Sequence, residues 1–221
     1  MKSSRIGKKL VEWGIHNYRD FPWRYTYNPY FTAISELLLR RTRAEQVVKV
    51  YSTLVSMYPD MCSLYHAREY DITSVVSKLG IYRRIPLILN CASFICHRLA
   101  GKIPKDRTLL EQVPGFGDYT VSAIEVFAYR KNVPLVDANT LRITARISGI
   151  IITDSLRKTH RIHDIYSSLV GNENPVKFGY AILDLGAIVC TQNPKCQICP
   201  VSEFCTYNRS LEITGKRIEG T

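Results

Sequence analysis

No apolar run in the sequence approaches eighteen residues, so no membrane-spanning helix is expected. The opening stretch, MKSSRIGKKLVEWGIHNYRD, has no apolar core of the kind a signal peptide carries, which points to an intracellular protein. Low-complexity stretches, internal repeats and convincing runs of strands are all missing. With 46% hydrophobic and 22% charged residues, these gaps exclude disordered, collagen-like and coiled-coil chains. At 221 residues the chain can bury roughly 70% of its unfolded surface, enough to fold without disulfides as one large domain or two small ones. Acidic residues are scarce: 19 Asp and Glu face 30 Lys and Arg, a formal charge of +11. A field of that sign attracts polyanions, nucleic acid among them, although a merely solvated basic surface would carry the same balance.

What is present is helical periodicity. Ile34, Leu37, Leu38, Val48, Tyr51 and Val55 recur at three- and four-residue steps or their multiples, so 32–57 reads as amphipathic helix with room for a break, closed by Pro59. Further helical stretches are expected at 73–79, 86–99, 109–113, 120–129, 139–147, 155–170 and 175–188, separated by Gly- and Pro-bearing turns. The fold class expected is all-α.

Seven cysteines divide into two groups. Cys62, Cys91 and Cys96 are scattered in apolar, helix-like surroundings and read as small buried hydrophobes. Cys190, Cys196, Cys199 and Cys205 fall within sixteen residues, spaced C-x5-C-x2-C-x5-C. An intracellular cluster of four reads as metal ligands rather than disulfides. Four-cysteine zinc sites usually show two x2 pairs, whereas one x2 pair flanked by longer gaps better suits a [4Fe–4S] cluster. Lys195 lies in the first gap, so a cluster there could hold a loop that presents a cation to a phosphate backbone.

The segment LEQVPGFGDYT reads as helix, tight turn, helix. Gly115 and Gly117 allow unusual dihedrals that face amide N–H groups outward, and Thr120 stands near the start of the next helix. Exposed amides at a helix start make an anion site that a phosphodiester fits, although an ordinary αα-turn has the same residues. Beyond it, in PLVDANTLR, Asp137 sits where a loop meets a helix. It is either an N-cap or a carboxylate aimed at a substrate, and composition cannot decide.

The run PGFGDYT, VDANTLR, LDLGAIVC and the four cysteines, in that order and at these intervals, resembles the endonuclease III superfamily of base-excision DNA glycosylases, over about 20–205. One departure is visible: the first cysteine gap holds five residues where the common family pattern has six. The resemblance implies two helical lobes with a DNA-binding cleft between them. One is a six-helix barrel over 25–129 with a helix–hairpin–helix at about 109–129. The other is a cluster lobe of 1–24 plus 130–221 with a [4Fe–4S] loop over 190–205. It also implies a monomeric, cytoplasmic, DNA-associated enzyme acting on double-stranded DNA with a mismatched or damaged base, and no membrane partner.

Bifunctional members carry Lys after the Gly-Asp of the hairpin for Schiff-base attack on the sugar, whereas this chain has Tyr119, and a phenol cannot form an imine. Tyr119, with DFPWR at 20–24, LLRRT at 38–42 and VDAN at 136–139, looks most similar to the thymine glycosylases of G·T and G·U pairs. On that resemblance Asp137 is the catalytic carboxylate and Tyr119 a wall of the base pocket. Glu36 matches a base-contacting carboxylate of adenine glycosylases, and Tyr180 is a further pocket residue. Arg40 is placed to fill the hole left by a flipped base, and Ile81 to wedge between bases, although a contact after the Gly80 C-cap is the plainer role for Ile81. Arg41, Arg43, Arg83 and Arg84 are phosphate contacts or solvated surface. An adenine glycosylase acting on A·G or A·8-oxoguanine is the enzymatic alternative. A non-catalytic iron–sulfur DNA-binding module is the alternative from another class.

Overall fold

A computed structural model of the chain describes residues 2–153, 156 and 159–214. Among the described residues there is no strand, and twelve α-helices follow in order. They are α1 (Lys2–Asn17), α2 (Pro29–Leu39), α3 (Ala44–Met57), α4 (Met61–Tyr65), α5 (Glu69–Val76), α6 (Ile85–Arg98), α7 (Arg107–Leu110), α8 (Asp118–Ala123), α9 (Ala138–Ser148), α10 (His160–Val170), α11 (Pro175–Ile188) and α12 (Thr206–Thr214). No helix is long and apolar enough to cross a membrane among the described residues.

The expected helix over 32–57 is two helices, α2 and α3. They part at Arg40–Arg43, where Arg41 takes φ +51 and ends helical continuation. The stretch 120–129 loosens after α8 into a π-helical turn, Ile124–Ala128. Of the stretch 155–170, helix is found from His160 onward, and residues 155, 157 and 158 lie outside those described. Helices α1, α4 and α12 were not anticipated. In α1 the glycines at 7 and 14 lower helix propensity. Both stand where neighbours press close: a Cβ on Gly14 would lie 2.7 Å from Ala181 Cβ of α11, and one on Gly7 2.5 Å from the Leu169 carbonyl of α10.

The chain divides into two compact units, Asp20–Arg130 and Met1–Arg19 with Lys131–Thr221. The boundaries at 19/20 and 130/131 replace those expected at 24/25 and 129/130. The first boundary moves because Phe21 and Trp23 are buried in the 20–130 core, where their rings stack on each other and Trp23 meets Tyr51 edge-on.

In the 20–130 unit, Ile34, Leu37 and Leu38 of α2 share that core with Val50 and Leu54 of α3 and Ile88 and Ile95 of α6. Pro29 opens α2 behind Asn28, whose side chain accepts from Tyr30 N. Cys91 is buried as expected, and burial pushes its thiol up to about 12. Cys62 and Cys96 correct the expectation of unlinked hydrophobes: they form a disulfide between α4 and α6, with Cα atoms 5.1 Å apart. In the other unit, α1 packs on α10 and α11, and α9 on α11 and α12. Asp184 of α11 is fully buried and accepts from Arg19 N at 3.2 Å and Arg19 Nε at 2.6 Å, which compensates a charge that burial alone would penalise heavily.

Candidate functional site

Within 20–130 the helix–hairpin–helix is α7, the turn through Val113–Gly117 and α8. Phe116 N donates to Val113 O at 3.0 Å and closes the turn, while Phe116 itself is buried. Only one of the two glycines needs its freedom. Gly115 has φ +89, and its open face lies against Leu87 of α6, 3.0 Å from where a Cβ would stand. Gly117, expected to share that role, has ordinary extended backbone (φ −88, ψ 172) and forms the N-cap of α8. The flanks are tied by an ion pair of 2.6 Å between Arg107 of α7 and buried Glu125.

Arg40, at the end of α2, reaches this hairpin. Its Nη2 donates to Gly115 O and, at 3.1 Å, to Thr120 Oγ1. Thr120 is buried, and its hydroxyl supports Arg40 from inside the fold. Tyr119, half-buried, is the second residue of α8. Glu36 lies on α2, a turn before Arg40, and is 8% exposed. Ile81 follows Gly80 (φ +67) and packs, partly buried, against the core, as a hydrophobic contact after a C-cap does.

Arg84 corrects the sequence reading most clearly. It is half-buried, and its guanidinium donates to Leu38 O at 3.1 Å, to Thr42 Oγ1 at 3.4 Å and to Arg40 O. It is therefore neither solvated surface nor free for a phosphate. Burial first, and then the neighbouring charges of Arg40 and Arg41, lower its pKa from the ordinary arginine value.

In the other unit Asp137 is the N-cap of α9 in a full capping box. Its Oδ1 accepts from Asn139 N at 2.9 Å and Thr140 N at 2.7 Å, and its own N donates to Thr140 Oγ1 at 2.9 Å. The N-cap reading of Asp137 is thus correct, and it fixes the direction of a carboxylate that remains only partly buried. Tyr180 of α11 is buried, with its ring edge-on to Tyr18 at 5.9 Å.

Cys190, Cys196, Cys199 and Cys205 line one small cavity. Burial first, and then the crowding of the other three thiols, push Cys199 up to about 11 against a lowering contact from the Val201 backbone. No three His, Cys, Asp or Glu converge on a single-ion point among the described residues. Four soft donors around a shared space fit an iron–sulfur centre. The five-residue gap is held from α9: Arg146 donates to Thr191 O at 2.6 Å and Gln192 O at 3.1 Å, and Arg142 Nη2 to Cys190 O at 2.9 Å. Sequence reasoning missed both arginines. Their i,i+4 spacing on one face of α9 was the available signal. Lys195, exposed within that gap, donates its backbone N–H to Val189 O at 3.0 Å.

Residues 34–165 match the model of the HhH-GPD superfamily base excision DNA repair proteins, and residues 192–205 that of the iron–sulfur binding domain of endonuclease III. The chain belongs to the HhH-GPD superfamily. It is a base-excision DNA glycosylase with an endonuclease III-type iron–sulfur domain. A thymine-DNA glycosylase of Aeropyrum pernix is 32% identical, with 91% of this chain and 93% of that one covered. An adenine DNA glycosylase of Mycobacterium tuberculosis is also 32% identical, over 91% of this chain and 67% of that one. Among solved structures, a thermostable thymine-DNA glycosylase superposes with a TM-score of 0.88 at 27% identity, covering 95% of this chain and 97% of that one. A trapped endonuclease III–DNA covalent intermediate superposes at 0.77 and 19% identity, covering 95% and 98%, a likeness of fold alone.

Proposed function

We propose that this HhH-GPD glycosylase is monofunctional and releases thymine or uracil mispaired with guanine from double-stranded DNA. The observation that carries this reading is Tyr119 at the second position of α8, directly after the hairpin. A phenol there offers no amine for Schiff-base attack on the sugar, which supports breakage of the N-glycosidic bond by hydrolysis. The thymine-DNA glycosylase of Aeropyrum pernix and the thymine/uracil-DNA glycosylase of Pyrobaculum aerophilum, the latter 32% identical over 88% of this chain, support the choice of base.

In this reading the hairpin amides and Lys195 each contact the phosphates of the duplex. The target base leaves the stack at a cost of a few kcal/mol, which a wobble pair lowers. Tyr119 forms a wall of the pocket that receives it. As the bond from C1′ to the base nitrogen breaks, positive charge builds on the sugar. The Asp137 carboxylate stabilises that charge and orients water, which adds its oxygen to C1′ while its proton passes to the departing base nitrogen. Cys190, Cys196, Cys199 and Cys205 would hold a [4Fe–4S] cluster, which supplies a fixed shape to the loop bearing Lys195.

A second reading, adenine release from A·G or A·8-oxoguanine, is favoured by one observation: Glu36 is a buried carboxylate on the helix that ends at Arg40. Labelled duplexes with a single G·T, G·U, A·G or A·8-oxoguanine pair, incubated with the protein and then treated with or without alkali, separate the readings. Alkali-dependent cleavage at T or U opposite G is expected. Cleavage confined to A, or no release from any duplex, overturns the proposal.

A further inference from the structure

We propose that Arg84 is a positioning residue that fixes the end of α2 and thereby the register of Arg40 on the hairpin. The last carbonyls of α2 have no intrahelical partners. Thr42 N takes Leu39 O at 3.1 Å. Arg84 takes Leu38 O at 3.1 Å and Leu37 O at 3.5 Å through Nη1, and Arg40 O through Nη2. A planar fork can bridge carbonyls on both sides of the helix end, which a point-charged ammonium cannot do.

The turn that Arg84 grips is strained. Arg41 has φ +51, a left-handed conformation that is unfavourable for a residue with a Cβ and persists only where neighbours over-determine it. Arg84 bonds on each side of it, to Arg40 O and to Thr42 Oγ1 at 3.4 Å. With the carbonyl of Arg40 held, its guanidinium reaches Gly115 O and Thr120 Oγ1 on the hairpin. Gly115 in turn rests on Leu87, in the first turn of α6, three residues beyond Arg84. Three segments of one unit, the end of α2, the turn Tyr82–Arg84 and the hairpin, are therefore set against one another through two arginines. The inference rests on the base-flipping reading, because it assigns Arg40 a function that needs this register.

The test uses the full chain on a G·T duplex with 2-aminopurine beside the mispaired thymine. Single-turnover base release, fluorescence and the salt dependence of binding are followed for Arg84→Ala, Arg84→Lys, Arg40→Ala and the Arg40→Ala/Arg84→Ala pair. Arg84→Ala is expected to slow base release by about tenfold to a hundredfold and to blunt the fluorescence change, as misplacement does. The salt slope of binding stays at its wild-type value, and Arg84→Lys recovers only part of the rate. The double variant is no slower than the slower single variant, because one path is lost in each. A salt slope smaller by about one with the rate intact would make Arg84 a phosphate ligand and overturn the inference. Losses that multiply in the double variant would also overturn it. Where Arg84→Ala gives no folded protein, Arg84→Lys carries the same comparison. Absence of base release by the wild-type protein would instead remove the base-flipping reading beneath it.

Discussion

Asp137 and Thr140 cap each other at the start of α9: the carboxylate accepts from Thr140 N at 2.7 Å, and the Thr140 hydroxyl accepts from Asp137 N at 2.9 Å. The capping box gives a clean test of charge. Asn is as good an N-cap as Asp, so Asp137→Asn is expected to fold with wild-type stability and bind duplex DNA. Its base release should fall by about a hundredfold or more, equivalent to roughly 3 kcal/mol, if the charge meets an oxocarbenium-like transition state. Thermal melts and single-turnover assays on the same preparation decide it. A variant with near-wild-type release would leave Asp137 as a cap alone.

The four cysteines make the second prediction. The protein should purify yellow-brown with bound iron and sulfide. Cys199→Ser should lose the colour, most of the iron and much of its yield, since the fold of this segment depends on what the thiols hold. Metal analysis checks it. A colourless, zinc-loaded and fully active wild-type protein is the outcome that defeats it.

What the sequence made legible follows from how local each signal is. The helical class, the hairpin at 113–117 and the four thiols around one cavity are written in spacings of two to six residues. Gly117 and Gly115 look equivalent in PGFG, yet only Gly115 takes a positive φ, because it follows Pro114 in the turn that Phe116 N closes on Val113 O, whereas Gly117 caps α8 with extended backbone. Arg84 read as surface because its partners are distant in sequence. A guanidinium beside Arg83 looks like a phosphate contact until the unpaired carbonyls of α2, more than forty residues away, are placed next to it. Arg142 and Arg146 were missed likewise, since their partners at Cys190, Thr191 and Gln192 lie in another segment.

The Cys62–Cys96 bridge is another long-range pairing, across 34 residues. Closing a loop of that length removes chain entropy from the unfolded state worth about 3–4 kcal/mol. Replacing both cysteines by Ala should lower stability by that order, read from denaturant unfolding under non-reducing conditions. Base release should be unaffected, because neither cysteine is among the residues proposed for chemistry. Equal stability of the two proteins, or two reactive thiols at these positions in the unreduced wild type, would show that the bridge is not formed.

The final prediction concerns Tyr119, where the chain departs from the lysine of bifunctional relatives. The side chain stands half-buried on the first turn of α8, a helix started by Gly117 and tied through Glu125 to Arg107. The backbone there is held independently of the phenol, so Tyr119→Lys should fold. An amine at this position can attack C1′ once it loses its proton, and partial burial favours the neutral form. Attack forms a bond from Nζ to C1′ as the base leaves, and the resulting imine is reducible by borohydride and opens a route to strand cleavage. Tyr119→Lys is therefore expected to give a borohydride-trapped protein–DNA adduct and some nicking without alkali. The wild-type protein should give neither, leaving an intact abasic strand that breaks only on alkali or heat. Denaturing gels with and without borohydride read both outcomes. A trapped adduct and efficient nicking by the wild type would mean that another amine in the chain acts as nucleophile, and the monofunctional assignment would fall.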